Sequence, residues 1–220
     1  MQKFDTPAPV SAVLDIPAGR IQFIAADCTD TTVEVRPADA SKGRDVKAAE
    51  QTTVAYADGV LRIETPGKSQ HFGASGSIEV TVQLPAGSRV EAKAAGAELR
   101  GVGRLGDVAF EAAQGPVKLD EAASARLSVL DGDVSVGRLG GPAEISAQRG
   151  NVRIAEAVRG TVTVSTQQGD ISVGAARGVS ATLDAGTGYG RVNNALRNDG
   201  TAELDIHATT TYGDITARSV

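Results

Sequence analysis

Gly132-Asp133-Val134-Ser135-Val136 and Gly169-Asp170-Ile171-Ser172-Val173 contain the pattern that decides the fold of this chain. A glycine, a turn residue and a β-branched residue follow one another six times, with gaps of 17, 18, 19, 21 and 23 residues between successive glycines. The instances are Gly115-Pro116-Val117, Gly132-Asp133-Val134, Gly150-Asn151-Val152, Gly169-Asp170-Ile171, Gly190-Arg191-Val192 and Gly213-Asp214-Ile215. A recurrence of about twenty residues is typical of a solenoid.

Each repeat predicts two short strands, one before the glycine turn and one after it. Residues 125–129 and 134–136 alternate apolar with polar side chains, and so do residues 161–164 and 171–173. Such alternation directs every second side chain to the interior. The repeat is too short for a βαβ unit, which needs about thirty residues. We therefore predict an all-β, single-domain parallel β-solenoid with two short strands per coil of about 17–23 residues.

The residue after each repeated glycine has two interpretations. As turn formers, these side chains bond back to the local backbone beside a glycine with positive φ. As a stacked row of oxygen ligands, they would form a calcium ladder, but the calcium-binding repeat G-G-x-G-x-D is absent and Pro116 and Arg191 interrupt the row. We favour turn formers and predict no metal site; the residues are Asp133, Asn151, Asp170 and Asp214.

Residues 1–86 predict an irregular β-rich part of the same fold, and residues 87–220 predict the regular coils. The segment 13–23 reads as strand, turn and strand, and 78–90 repeats it with the same Pro-Ala-Gly turn. Residues 38–49 predict a short surface helix or a loop, and residues 66–77 predict a flexible link. Further strands are expected at residues 32–36, 53–56 and 60–64, the last two joined by the hairpin turn Ala57-Asp58-Gly59.

The composition excludes several classes of function. The net charge of −5, with no basic excess in either half, argues against nucleic-acid binding. The lone Cys28 excludes an intrachain disulfide and a site built from several thiolates. No apolar run is long enough for a membrane span or a signal peptide, so we expect a soluble, cytoplasmic protein without direct membrane insertion.

No catalytic motif is found, and we predict no catalytic residue and no cofactor. His71 and His207 lie far apart and outside any zinc-protease pattern, so we interpret both as surface residues. Residues 101–106 match G-x-G-x-x-G, but a dinucleotide site needs a helix after the glycines and a β-coil follows here. The alternative is a carbohydrate-active β-helix enzyme. It is disfavoured because glycan-cleaving enzymes need clustered acidic residues and usually aromatic side chains that contact sugar rings. Here only 3% of residues are aromatic, and the sequence shows no clear acid cluster.

The chain resembles a bacterial domain-of-unknown-function family described as "putative adhesin", also called the toastrack domain. The resemblance rests on Leu84-Pro85-Ala86-Gly87 followed by repeats of the form G-D-[IV]-x-V, and it extends from Val10 to the end of the chain. It implies a β-solenoid and no agreed catalytic or binding residues. It also implies a link to bacterial cell-envelope stress systems.

Two surfaces are candidates for binding. Five arginines fall in the turn opposite the glycine corner and would form a ragged basic row, either as a solvated edge or as a track for a polyanion: Arg104, Arg138, Arg159, Arg177 and Arg197. The final coil, residues 209–215, reaches the C-terminus without a cap, and we expect free edge strands there. We therefore expect a non-enzymatic scaffold that binds a protein partner or associates with itself through this open C-terminal coil.

Overall fold

Successive coils lie one above the other, and their strands pair in parallel. The structure, a computed structural model, describes residues 1–66 and 76–220. Strand β8 turns through the corner between the two sheets, so its first part pairs with β9 and its second part with β10. This confirms the predicted parallel solenoid. The regular coils are built from β7 (Arg89–Gln114), β8 (Val117–Asp131), β9 (Val134–Leu139), β10 (Ala143–Arg149), β11 (Val152–Ala157), β12 (Gly160–Gln168) and β13 (Ile171–Ala175).

The register aligns equivalent residues of each repeat in columns, and these columns form the core. On one sheet Val117, Val134, Val152 and Ile171 follow one another, each 1% exposed. On the facing sheet the buried column consists of Phe110, Leu127, Ile145 and Val164. Branched aliphatic side chains suit this thin space because they pack well on a pleated surface.

The glycine corners allow a close approach that no other residue permits. At Gly169 the φ angle is +149°, and a Cβ would overlap the carbonyl oxygen of Gly150 in the coil below. Gly150 and Gly132 have the same relation to the coils beneath them, with φ of +134° and +155°. The glycine that recurs about every twenty residues in the sequence therefore forms a column in the structure, and this column lets consecutive corners stack.

We expect Gly169→Ala to destabilise the protein by more than about 3 kcal/mol, because the methyl group must displace backbone that is paired on both sides. The matched control is Gly186→Ala, where a Cβ meets nothing within 4 Å and φ is not left-handed. The control should change stability by less than about 1 kcal/mol. Urea unfolding measures both, and equal effects of the two substitutions would contradict the stacking argument.

The side chains after the glycines bond between coils rather than within their own turns. The backbone N–H of Asn151 donates to Asp133 Oδ1 at 2.7 Å, and that of Asp170 donates to Asn151 Oδ1 at 2.8 Å. The N–H groups of Asp214 and Arg191 continue this ladder, each at 2.8 Å from the carboxylate of the preceding coil. The expectation of local bonding was wrong, because the stacked coil presents its N–H closer than the residue's own turn does. The ladder begins above Asp133: among the hydrogen bonds of the described residues, none of this kind joins the N–H of Asp133 to the coil of Pro116, and proline has no N–H to donate.

Asp170→Ala removes one acceptor from this ladder and should lower the free energy of unfolding by about 1 kcal/mol. Asp170→Asn keeps an oxygen at the same place and should cost less than half of that. Denaturant unfolding of the two variants beside the wild type measures the difference. A loss of equal size in both would show that the carboxylate charge, and not the hydrogen bond, matters at this corner.

The N-terminal part opens the stack with a rearranged order of strands. Strand β2 pairs in parallel with β7 on one side and with β5 and β6 on the other, so it lies one coil in from the end. Strands β3 and β4 then pair antiparallel with β6 and β5, and β1 pairs antiparallel with β3. These elements are β1 (Gln2–Asp5), β2 (Ser11–Ala26), β3 (Asp30–Pro37), α1 (Gly43–Gln51), β4 (Thr53–Ala57), β5 (Val60–Glu64) and β6 (Ile78–Pro85).

The N-terminal part also contains one helix, α1, and the expected hairpin turn. The α1 helix packs against β3 and β6, and the buried Asp45 accepts a hydrogen bond from the Ser77 backbone N–H at 3.0 Å. The expected hairpin turn has positive φ at Asp58 and Gly59, at 51° and 77°. The predicted flexible link at 66–77 and His71 fall mostly or wholly outside the described residues.

The C-terminal coil is not the last coil of the stack. It consists of β16 (Leu204–Tyr212) and β17 (Ile215–Ser219), and the preceding coil of β14 (Ala181–Tyr189) and β15 (Val192–Ala195). Strand β16 lies between β12 and β14, and β17 lies between β13 and β15. The expectation of an open C-terminal coil was therefore wrong: the chain passes over one position, forms the end coil and then returns to fill the gap.

Two further sequence features have clear outcomes. Residues 101–106 lie within strand β7, with β-structure before and after them, which rules out the helix that a dinucleotide site requires. Among the described residues, no helix has the length and apolar character that crossing a membrane demands.

Candidate functional site: the open end of the solenoid

The end coil, β14 with β15, leaves one edge of each sheet without a neighbouring strand. In the described part of the chain, β14 pairs with β16 alone and β15 with β17 alone. An edge strand presents a row of N–H and C=O groups that can pair with another chain. The loop before the C-terminal coil covers only the start of this edge, where the Ala181 N–H donates to the Arg197 carbonyl at 3.0 Å.

The interior of the solenoid is exposed at this end. Val192 occupies the same column as Val152, yet it is 43% exposed. In one inward-facing column the branched aliphatic residues give way to an alanine in the C-terminal coil and a polar residue in the end coil: Leu119, Val136, Ile154, Val173, Ala217 and Asn194. Leu183, Ala185 and the loop residue Leu196 are half-buried against the core, so the end presents a partly covered apolar strip between two edge strands.

A pair of tyrosines extends this strip at the glycine corner. Tyr189 and Tyr212 stack with ring centroids 5.0 Å apart and an interplanar angle of 4°. They belong to adjacent coils in one column, and Tyr189 is 70% exposed. Exposed tyrosines are typical anchors of protein interfaces because a large rigid ring is buried at a small cost in side-chain entropy.

The end coil is held firmly to the coil beneath it. The Thr182 hydroxyl donates to Asp205 and the Thr187 hydroxyl donates to the Gly213 carbonyl at 2.9 Å. Ser219 Oγ accepts a hydrogen bond from the Arg197 backbone N–H at 2.9 Å, which fixes the loop that returns to the C-terminal coil. The edge strands are therefore presented in a defined position.

The predicted arginine row is interrupted by carboxylates. Arg104, Glu121, Arg138 and Glu156 occupy consecutive positions of one column, and the Arg138 guanidinium forms an ion pair with Glu156. Opposite charges in adjacent coils offset one another along this edge. The row thus alternates positive and negative side chains over these coils, with one ion pair between Arg138 and Glu156, and anion binding along it stays a prediction.

The other three arginines, Arg159, Arg177 and Arg197, lie outside that column. Arg159 and Arg104 border one shallow groove of about 970 Å³, which Glu121 and Glu203 also line. Arg177 is exposed in the turn before β14, and Arg197 lies in the loop before β16. The structure therefore brings two of the five together in a groove of mixed charge.

The described residues contain no set of three or more His, Cys, Asp or Glu side chains that could hold a metal ion. His207 is exposed on β16, and its Nδ1 lies 3.4 Å from Asp184 Oδ2 on the end coil. Cys28 donates its thiol to the Asp30 carbonyl at 3.1 Å. These groups make structural contacts and do not converge on a cavity.

Residues 21–219 match the family described as Toastrack DUF4097. The chain belongs to this family. Its members are domains of unknown function, and the expectation drawn from the repeats and the Leu-Pro-Ala-Gly sequence is confirmed. The chain is accordingly a structural or interaction domain of the toastrack type.

Solved structures of similar fold come from bacteria. A "putative adhesin" of Bacteroides fragilis is 15% identical, with a TM-score of 0.60, over 98% of this chain and 95% of that one. A "putative adhesin" of Parabacteroides distasonis is 17% identical with a TM-score of 0.44, again over 98% and 95%. A "putative cell adhesion protein" of Clostridium sporogenes is 13% identical with a TM-score of 0.42, over 100% and 98%. The Bacteroides fragilis structure supports the toastrack fold and carries no information about function. No curated protein matches the chain.

The tyrosine pair was missed in the sequence, although a signal for it exists. Both tyrosines directly precede a repeated glycine, as Tyr189-Gly190 and Tyr212-Gly213, where the earlier toastrack coils have Gln114, Asp131, Arg149 and Gln168. Equivalent positions of stacked coils are neighbours, so two aromatic residues at one position predict a stacked pair. That they mark the open end follows only from the order of the coils.

Asp214 connects the C-terminal coil of the toastrack stack to the end coil. Its carboxylate accepts the Arg191 backbone N–H at 2.8 Å, and the Arg191 guanidinium lies 3.3 Å away. The hydrogen bond and then the positive charge stabilise the ionised form, so the pKa of Asp214 lies below its ordinary value. Ionised Asp214 thus favours the attached end coil.

This contact should make the attachment of the end coil depend on pH. Because the folded pKa lies below the unfolded value of about 3.9, the stabilisation is complete above pH 4 to 5 and is lost as the pH falls through the folded pKa. Asp214→Asn should therefore weaken the protein at pH 7 and lose that difference in acid. Urea unfolding of both proteins across pH measures it. In an Arg191→Met background, which keeps the backbone N–H but removes the positive charge, the effect of Asp214→Asn should shrink, and an unchanged effect would contradict a contribution from the Arg191 guanidinium.

Proposed function

We propose that this toastrack domain is a non-enzymatic scaffold that associates with a second copy of itself through its open end. The observation that carries the proposal is the end coil, where two edge strands, an apolar strip and an exposed tyrosine pair occur on one face. Each of these features alone is common on protein surfaces. Together they provide backbone pairing, apolar contact area and an aromatic anchor.

Backbone pairing supplies the first part of the binding energy. Strand β14 is nine residues long, and the side chains between Asp184 and Tyr189 are small, with Gly186 and Gly188 both exposed. Natural edge strands avoid association by carrying lysines, prolines or inward-pointing charges. Strand β14 has no lysine, proline or inward-pointing charge, and its one charged side chain, Asp184, is on the exposed outer face. Strand β15, with the sequence Val-Asn-Asn-Ala, is uncharged but only four residues long, so β14 is the main pairing edge.

The apolar strip and the tyrosines supply the second part. Burial of the Tyr189 ring and of Val192 would remove apolar surface from water, at about 25 cal/mol for each Å². Tyrosines that become fully buried near the centre of such contacts can contribute about 2 kcal/mol or more to binding. A second copy offers the same combination of edge and ring, which is why it fits this surface.

Self-association should appear as a mass that rises with concentration. In sedimentation equilibrium or light scattering we expect a weight-average mass above the 22.4 kDa of one chain at high micromolar concentration. Val192→Lys, which puts a charge on the apolar strip, and Tyr189→Ala should each raise the dissociation constant at least tenfold. The control Thr163→Lys adds the same charge on an exposed mid-stack position and should leave association unchanged.

Matched thermal unfolding of the three variants separates loss of association from loss of folding. A wild-type chain that stays monomeric at the highest concentration would contradict the proposal. Turnover of a glycan would contradict the non-enzymatic part, since the alternative of a carbohydrate-active enzyme would then gain support. The link to cell-envelope stress that the family implies is a hypothesis about the setting in which this scaffold works.

A further inference from the structure

We infer that the self-association is isologous: the open end of one copy faces the open end of another across a twofold axis, and assembly stops at two. This inference rests on the proposed function and adds the geometry of the contact. A head-to-tail contact would instead join the open end to the N-terminal end and continue into a fibre. The two ends of the stack and the sequence of β14 favour the closed form.

The N-terminal end is a poor partner for the open end. Its edge strands are β4 and β1, with five and four residues, against nine in β14. Both are set antiparallel to their neighbours, and α1 packs beside them on β3 and β6. Strand β14 could therefore pair with β4 over about half of its length at most, leaving the rest of its edge unpaired.

The sequence of β14 is compatible with pairing to itself. A twofold axis makes the two β14 strands antiparallel, and we place it at Ala185, the middle of Ala-Thr-Leu-Asp-Ala-Gly-Thr-Gly-Tyr. The inward-facing Leu183 then lies opposite Thr187 of the second copy, so the apolar strip continues. On the outer face Asp184 lies opposite Gly186, and Thr182 opposite Gly188. No like charges and no pair of large side chains lie directly opposite each other in this register, and the two Asp184 carboxylates are diagonal neighbours on the solvent-exposed outer face, where their repulsion is screened.

The size of the contact is consistent with a specific but weak dimer. The returning loop is bonded to Ala181, so with the axis at Ala185 the seven residues 182–188 of β14 can pair, and they span roughly 23 Å. Two sheets about 10 Å apart with their side chains give a face roughly 20 Å wide, so the contact would bury about 450 Å² on each copy, about 900 Å² in total. This is below the standard size of protein interfaces and within the range of weak, transient contacts, for which a dissociation constant of tens of micromolar or higher is expected.

A single cysteine at the axis tests the geometry. In a Cys28→Ser background, Ala185→Cys places the two thiols opposite each other, because facing residues of antiparallel strands have Cβ atoms about 5 Å apart, within reach of a disulfide. We expect mild oxidation to give a covalent dimer and no larger species. Ala55→Cys, on an exposed position of β4 at the other end, is the matched control and should stay monomeric.

The outcomes separate the two proposals. A covalent dimer from Ala185→Cys, reduced by added Val192→Lys and absent with Ala55→Cys, supports the isologous contact. A wild-type chain that associates while only the double variant Ala185→Cys/Ala55→Cys crosslinks, as a ladder of multimers, would overturn the isologous contact and keep the proposed function. A chain that neither associates nor crosslinks would overturn both. Wild-type unfolding midpoints for the cysteine variants in reducing conditions show that the fold is intact.

Discussion

The parallel backbone ladder between coils is the interaction on which the rest of this structure depends. At each glycine corner the N–H and carbonyl groups of one coil bond with those of the next, as from Gly150 to Gln168 and from Val152 to Asp170, both at 2.9 Å. A Cβ at this corner would separate the coils, so glycine is required for a steric reason. The Asx side chains add a second row of bonds on the same corner. Core columns, charge pairs and the tyrosine stack all follow from the register that this ladder sets.

The fold could be predicted because the ladder requires a glycine at the corner of every coil, and this glycine recurs in the sequence. The order of the coils at the two ends could not be predicted in this way. Ile171 pairs with Ile215 rather than with Val192, although Val192 comes first along the chain. A parallel ladder forms the same hydrogen bonds whichever coil follows. The glycine pattern therefore carries no information about the exchanged positions of the end coil and the C-terminal coil. The loop before β16 determines it, because its bonds to Ser180 and Ser219 return the chain beneath the end coil.

The same exchange explains why the candidate site was only partly predictable. An open end was expected at the C-terminal coil, whose residues are in fact covered on both sides by β12, β13, β14 and β15. The arginines were grouped by their distance from the glycine corner, but charges in a solenoid act through register. Glu121 and Glu156 share the column of Arg104 and Arg138, which linear spacing does not reveal.

The two ends of the stack terminate their sheets differently, and this difference is the basis of the proposed interaction surface. At the N-terminal end, antiparallel strands and α1 interrupt the direction of the coils, so the ladder cannot continue there. At the other end β14 and β15 keep the direction and spacing of the coils beneath them, with Asn194 and Ala185 reducing the apolar side chains that are left exposed. Small or polar inward-facing side chains limit the apolar area and leave the edge backbone of β14 accessible. A small apolar area with an accessible edge suits the proposed reversible association better than a permanent interface.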